Sequence, residues 1–164
     1  MKVCEVHELV DRADALDVSC ADLPSAGDEL RRLRSWLDGR DVAYARIVAG
    51  VSSFPEKSLA EAGRTSLRHG EQVLKRAGTV ETVPEFGASL DAGRVSGEHV
   101  DAMTRTLRQL QPATRQELID GAPNLVLIAE NTSADEFAKT LRGEARRLER
   151  DSDGLDRLAR QKQA

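Results

Sequence analysis

Residues Leu90–Leu110 read LDAGRVSGEHVDAMTRTLRQL, and this stretch decides the fold. Leu90-Asp91-Ala92-Gly93 has the form of a helix end, because glycine accepts the left-handed backbone that a helix C-terminus often needs. Arg94 and Val95 then make a tight corner. Ser96 can cap a second helix by accepting from its free N–H groups, and Glu98 suits the positive first turn. Val100, Met103, Leu107 and Leu110 recur every three or four residues, the spacing of one buried helical face. The expectation is an antiparallel helix pair inside an all-α domain.

The same pattern extends outward from this corner. Val6, Leu9, Val10, Ala13 and Leu16 mark a short amphipathic helix over 5–17, and Pro24 and Gly27 mark a break over 21–27. A long helix is expected from Asp28 through Leu30, Leu33, Leu37, Tyr44, Ile47, Val48 and Val51, weakened at Gly39 and Gly50. Pro55, Pro84 and Pro112 suit first helical positions. Between them, a short helix over 56–62 closes at Gly63, and another runs from Thr65 or Ser66 to about Ala77. Pro123 should kink or split the helix that Pro112 opens. Ser133 and Glu136 form a capping box ahead of Phe137, Leu141, Ala145 and Leu148. No segment alternates with period two and no fixed repeat recurs, so we expect a single multi-helix domain of roughly six to eight helices and no sheet. Residues 1–27 read as an acidic arm with a short helix, 28–150 as the helical domain, and 151–164 as a polar, frayed end or cut linker.

At 164 residues the chain can bury a sizeable core without disulfides or metal. Aromatics are few, so that core must come from Leu, Val, Ala and Ile. Residues 1–30 carry Lys2 and Arg12 against eight carboxylates, a balance of −6, which leaves +2 for the rest of the overall −4. An acidic arm thus precedes a mildly basic body, which permits a nucleic-acid contact without demanding one. Cys4 and Cys20 lack the spacing of a redox or zinc pair, so a reduced, cytoplasmic setting is expected. No apolar run approaches the ~20 residues of a membrane span, and no membrane partner is expected.

Chemistry-bearing motifs are absent from the sequence. His7, His69 and His99 have no second histidine or cysteine at metal-ligand spacing, and no Glu-x-x-His precedes His69 or His99. Neither a glycine-rich phosphate loop nor GxSxG occurs. We therefore expect no catalytic residue, no metal and no cofactor. His99, in the first turn of its helix, reads as a capping residue. The short helix, glycine turn and second helix over 56–77 outline a helix-turn-helix whose outer face carries Arg64, Arg68, Gln72, Lys75 and Arg76. Solvation alone also places cations on outer faces, so the pattern fits either reading.

Thr65-Ser66-Leu67 through Val73-Leu74-Lys75-Arg76-Ala77, then Val83-Pro84, then Leu90 to Val100 resemble the domain of unknown function 222. This is the helical N-terminal part of the actinobacterial 13E12 repeat proteins, which commonly end in an HNH endonuclease module. Gly93, Val95, Ser96 and His99 fill the places of the family's helix-corner pattern, and the similarity spans most of residues 28–150. Two departures limit what it implies. The chain contains no HNH motif, and the family domain has no assigned catalytic residues. The resemblance thus implies a non-catalytic, DNA-associated module, for which Arg64, Thr65, Ser66, Arg68, Lys75 and Arg76 are the candidate phosphate contacts. The alternatives are a protein-interaction or self-association module, and a helix-turn-helix regulator with an exposed helix over 66–77.

Overall fold

The structure is a computed structural model that describes residues 2–14 and 23–163, the side chains of Leu23 and of 153–163 excepted. The described residues are all-helical and contain no strand. Nine helices follow in order: α1 Val3–Asp14, α2 Leu23–Val51, α3 Pro55–Gly63, α4 Leu67–Thr82, α5 Pro84–Asp91, α6 Gly97–Gln109, α7 Pro112–Asp120, α8 Ala122–Glu130 and α9 Ala134–Gln163. None is long and apolar enough to cross a membrane.

Nine exceeds the six to eight expected, because Pro123 does split its helix: α7 stops at Asp120 and α8 restarts at Ala122. All five prolines lie in a first helical turn, where the missing N–H costs nothing. Pro24 therefore starts α2 ahead of the expected Asp28, and the rest of the predicted break, together with Leu16 and Cys20, lies outside the described residues. Residues 151–163 continue α9 without interruption. The Ser133–Glu136 box caps α9: Glu136 N–H donates to Ser133 Oγ at 3.3 Å, and Ser133 N–H donates to Glu136 Oε2 at 3.2 Å.

One hydrophobic core joins all the helices from α2 to α9. Val100 and Met103 are fully buried, with Leu107 and Leu110 nearly so. Phe137 packs at a tilt against Phe86 with ring centroids 5.7 Å apart, so two of the five aromatics meet at the centre. α4 is the crowded helix, touching α2, α3, α5 and α6.

The corner at 91–96 departs from the expected helix pair. α5 packs on α2, α4 and α8, whereas α6 packs on α4, α9 and α2. The reason is that α2 holds the corner itself. Val95 is fully buried, its carbonyl accepts from Ser35 Oγ, and Arg31 Nη1 donates to the Gly93 and Arg94 carbonyls at 3.3 Å each. Gly93 takes φ 74°, the left-handed backbone that releases the chain from α5. At the α3 end, Gly63 stays helical and Arg64 takes the left-handed position at φ 50°.

These two positions give a paired test by chemical denaturation. Gly93→Ala should cost about 1–2 kcal/mol, the penalty of a Cβ in left-handed backbone. Arg64→Gly should gain up to about 1 kcal/mol by relieving that same penalty.

Candidate nucleic-acid interface

Arg76 sits at the edge of the Val73–Ala77–Val80 stripe of α4, where a long side chain can turn inward or outward. It turns inward and is only 8% exposed. Nε and Nη2 donate to the two oxygens of Asp101 on α6 at 2.8 Å each, and Nη1 donates to Asp38 Oδ1 on α2 at 3.0 Å. Gln72 Nε2 adds a 2.5 Å bond to Asp101. The second oxygen of Asp38 accepts from Gly97 N–H at 2.8 Å, so it also caps α6. A Cβ at Gly97 would fall 2.5 Å from Arg76 Nη1, which explains why residue 97 has no side chain here. Burial alone would push the guanidinium's pKa down, but Asp101 and Asp38 more than offset it and hold it above its ordinary value. Arg76 is thus removed from the set of candidate phosphate contacts, because its donors are engaged internally.

The other residues of the corner motif assemble next to this clamp. Ser96 stands at the N-cap of α6 in extended backbone, and His99 at N3 completes the capping box in the place usually held by Glu or Gln. His99 Nδ1 accepts from Ser96 N–H at 3.2 Å and lies 2.8 Å from Ser96 Oγ. Its Nε2 therefore carries the proton and donates to the Thr132 carbonyl at 3.1 Å. The ring also packs on Phe137 with centroids 5.6 Å apart. Burial pushes the His99 pKa below its usual value, against the opposing pull of the Thr132 carbonyl and the Glu98 charge. A neutral imidazole with both nitrogens in use holds the α6 start to the α8–α9 loop.

The remaining candidates divide between two places. Arg68 and Lys75 point outward along α4, on a stripe that Glu71 shares. Arg64, Thr65 and Ser66 are exposed ahead of α4, where Ser66 Oγ caps the helix by accepting from His69 N–H at 3.1 Å. Thr65 and His69 line a separate depression with Asp41 and Tyr44. The expected helix-turn-helix regulator needed an uncrowded helix over 66–77, and α4 instead packs on four neighbours with only one outward stripe.

That stripe has a basic counterpart that the sequence reading missed. Arg105 and Arg108 on α6 face Arg68 and Lys75 across a shallow groove of ≈ 270 Å³, floored by Gln72, Asp101 and Thr104. The groove runs on into a second depression of ≈ 400 Å³ that ends at Arg115 of α7. Arg68, Arg105 and Arg108 make no ion pair with any described residue. The acidic groups beside them are already engaged: Glu71 by Lys75 at 3.3 Å, and Asp101 by Arg76 and Gln72. Arg115 Nε is buried without a protein partner. A signal existed, since Asp101, Arg105 and Arg108 step by four and three residues off the Val100 stripe. Compared with known protein families, curated proteins and solved structures, the chain finds no match.

A concavity of ≈ 910 Å³ between α2, the α6 start and the α8–α9 loop carries charges of both signs, several of them paired with one another. Arg31 pairs with Asp28, and Arg94 with Glu130 at 2.7 Å. Ser89 and Arg94 together hold the Glu130 carboxyl below the usual carboxylate range.

Two measurements follow from the clamp and the capping histidine. Arg76→Ala should lower stability by about 2–3 kcal/mol, the cost of leaving the partly buried Asp101 and Asp38 without their cation, while Arg68→Ala stays within about 0.5 kcal/mol in the same urea titration. His99 binds its proton less readily folded than unfolded, so its contribution is complete above about pH 6.5 and is lost as pH falls through the lowered folded value. Thermal midpoints should therefore drop as pH falls below about 6.5, and His99→Gln, which can keep the capping box, should flatten that slope. Glu130 acts only in a lower window, as pH falls below the ordinary carboxylate range.

Proposed function

We propose that the chain is a non-catalytic helical module that associates with nucleic-acid phosphates through the groove between α4 and α6. The observation that carries this reading is the facing of Arg68 and Lys75 by Arg105 and Arg108, three of the four cations having no ion-pair partner among the described residues. Guanidinium groups in that state hold charge and directed donors ready for phosphate oxygens. The floor of the groove offers Gln72 and Thr104 but no exposed aromatic for stacking on bases, which favours backbone contact to a duplex over the reading of bases. The resemblance to the helical part of 13E12 repeat proteins agrees with a DNA-associated role, the nuclease module being no part of this sequence. Arg64, Thr65 and Ser66, ahead of α4, would extend the contact from the α4 end.

The test is binding of a labelled random-sequence duplex to the purified chain at low and at physiological salt. Affinity in the non-specific range, a Kd of about 10⁻⁴–10⁻⁶ M at physiological salt, should weaken steeply as salt rises. Replacing Arg68, Arg105 and Arg108 together by Ala should abolish it, and each single replacement should reduce the salt slope by about one. Absence of binding even at low salt would overturn the proposal.

A further inference from the structure

α2 has two apolar faces. Ala45, Val42 and Val48 point into the core. Flanking them, Leu37, Tyr44 and Val51 step by seven residues with Ile47 between the last two, the spacing of a two-helix seam. Leu37 is 54% exposed, Tyr44 48%, Ile47 66% and Val51 82%, and Phe54 just beyond the helix is 67% exposed. The one charged residue in the seam, Arg40, is turned aside: its guanidinium lies over the Trp36 ring and pairs with Asp91.

The covered part of this face shows what it accepts. α1 packs on α2, burying Val6 and Leu9 and bonding Arg12 to Glu29, and Leu30 and Leu33 of the same stripe are half-buried. From Leu37 onward no described residue covers the stripe to the same extent. The open portion is on the order of 600 Å² of apolar side chain, at the upper limit for the largest patch on a monomer and most of the ~800 Å² each partner gives to a standard interface.

We propose that this face of α2 is the interface of a homodimer. A second copy is the partner that fits. The seam is nearly uncharged and therefore complementary to itself, and a two-fold axis between Tyr44 and Ile47 sets each copy's Tyr44 against the other's Ile47. Antiparallel packing places Leu37 against the second copy's Phe54 and closes the two ends of the seam. The face shares no residue with the α4–α6 groove, although Tyr44 also borders the depression lined by Thr65 and His69.

Sedimentation equilibrium of the full chain across a wide concentration range tests the proposal. The expected result is a reversible dimer, with Ile47→Glu and Tyr44→Glu each raising its dissociation constant roughly thirtyfold or more. Both side chains are outward in the monomer, so unchanged far-UV circular dichroism and thermal midpoint at dilutions where the wild type is monomeric should accompany that loss. A wild-type chain that stays monomeric throughout overturns the proposal, as does a dimer unaffected by both substitutions. Weakening of the dimer by Arg105→Ala and Arg108→Ala, with Ile47→Glu silent, would also overturn it by placing the interface elsewhere.

Discussion

The guanidinium of Arg76 joins three helices that apolar contact could press together but not fix in register. Its bidentate hold on Asp101 sets α4 against α6, its third donor reaches Asp38 on α2, and Asp38 passes the connection to the first amide of α6. A buried ion pair of this kind does not by itself add much stability over a well-packed apolar substitute. What it supplies is geometry. An aliphatic core of Leu, Val and Ala tolerates sliding and repacking, whereas a planar fork between two carboxylates admits one arrangement. The helix corner at Gly93–Ser96 depends on the same fixing, because Arg31, Ser35 and Asp38 all reach it from α2.

This division of labour also sorts the cations of α4. Those that turn inward complete the fold, and those that turn outward keep their charge available. Lys75 is intermediate, outward but paired with Glu71 four residues earlier, an exposed contact of small energetic weight that a phosphate could displace. The result is a net positive strip along α4 and α6 on a protein whose total charge is negative. Local field, rather than overall charge, governs what approaches such a surface.

Much of the fold was legible because its determinants are local. Pro55, Pro84, Pro112 and Pro123, the Ser133–Glu136 box and the Val100–Leu110 stripe act within one or two helical turns, and each gives the element it implies; Pro24, read as a break, starts α2 instead. Gly93 was readable for the same reason. The destination of Arg76 was not, since the sequence groups it with the outward cations of its helix and its partners lie 25 and 38 residues away. Nor could a helical wheel show that α5 and α6 would pack on different neighbours. The choice was made by Ser35 and Arg31, some 60 residues earlier in the chain. The basic groove was hidden similarly: half of it lies on α4 and half on α6, and neither half is distinctive alone.

Gly97 is tied to two residues on other helices. With Arg76 in place, any side chain at 97 collides with the guanidinium and displaces the carboxylate that caps α6. Loss of the guanidinium alone would not open the position, because Asp38 Oδ2 still lies 2.7 Å from where a Cβ would stand. Residues 38, 76 and 97 are therefore coupled, and the effects of changing them should not add.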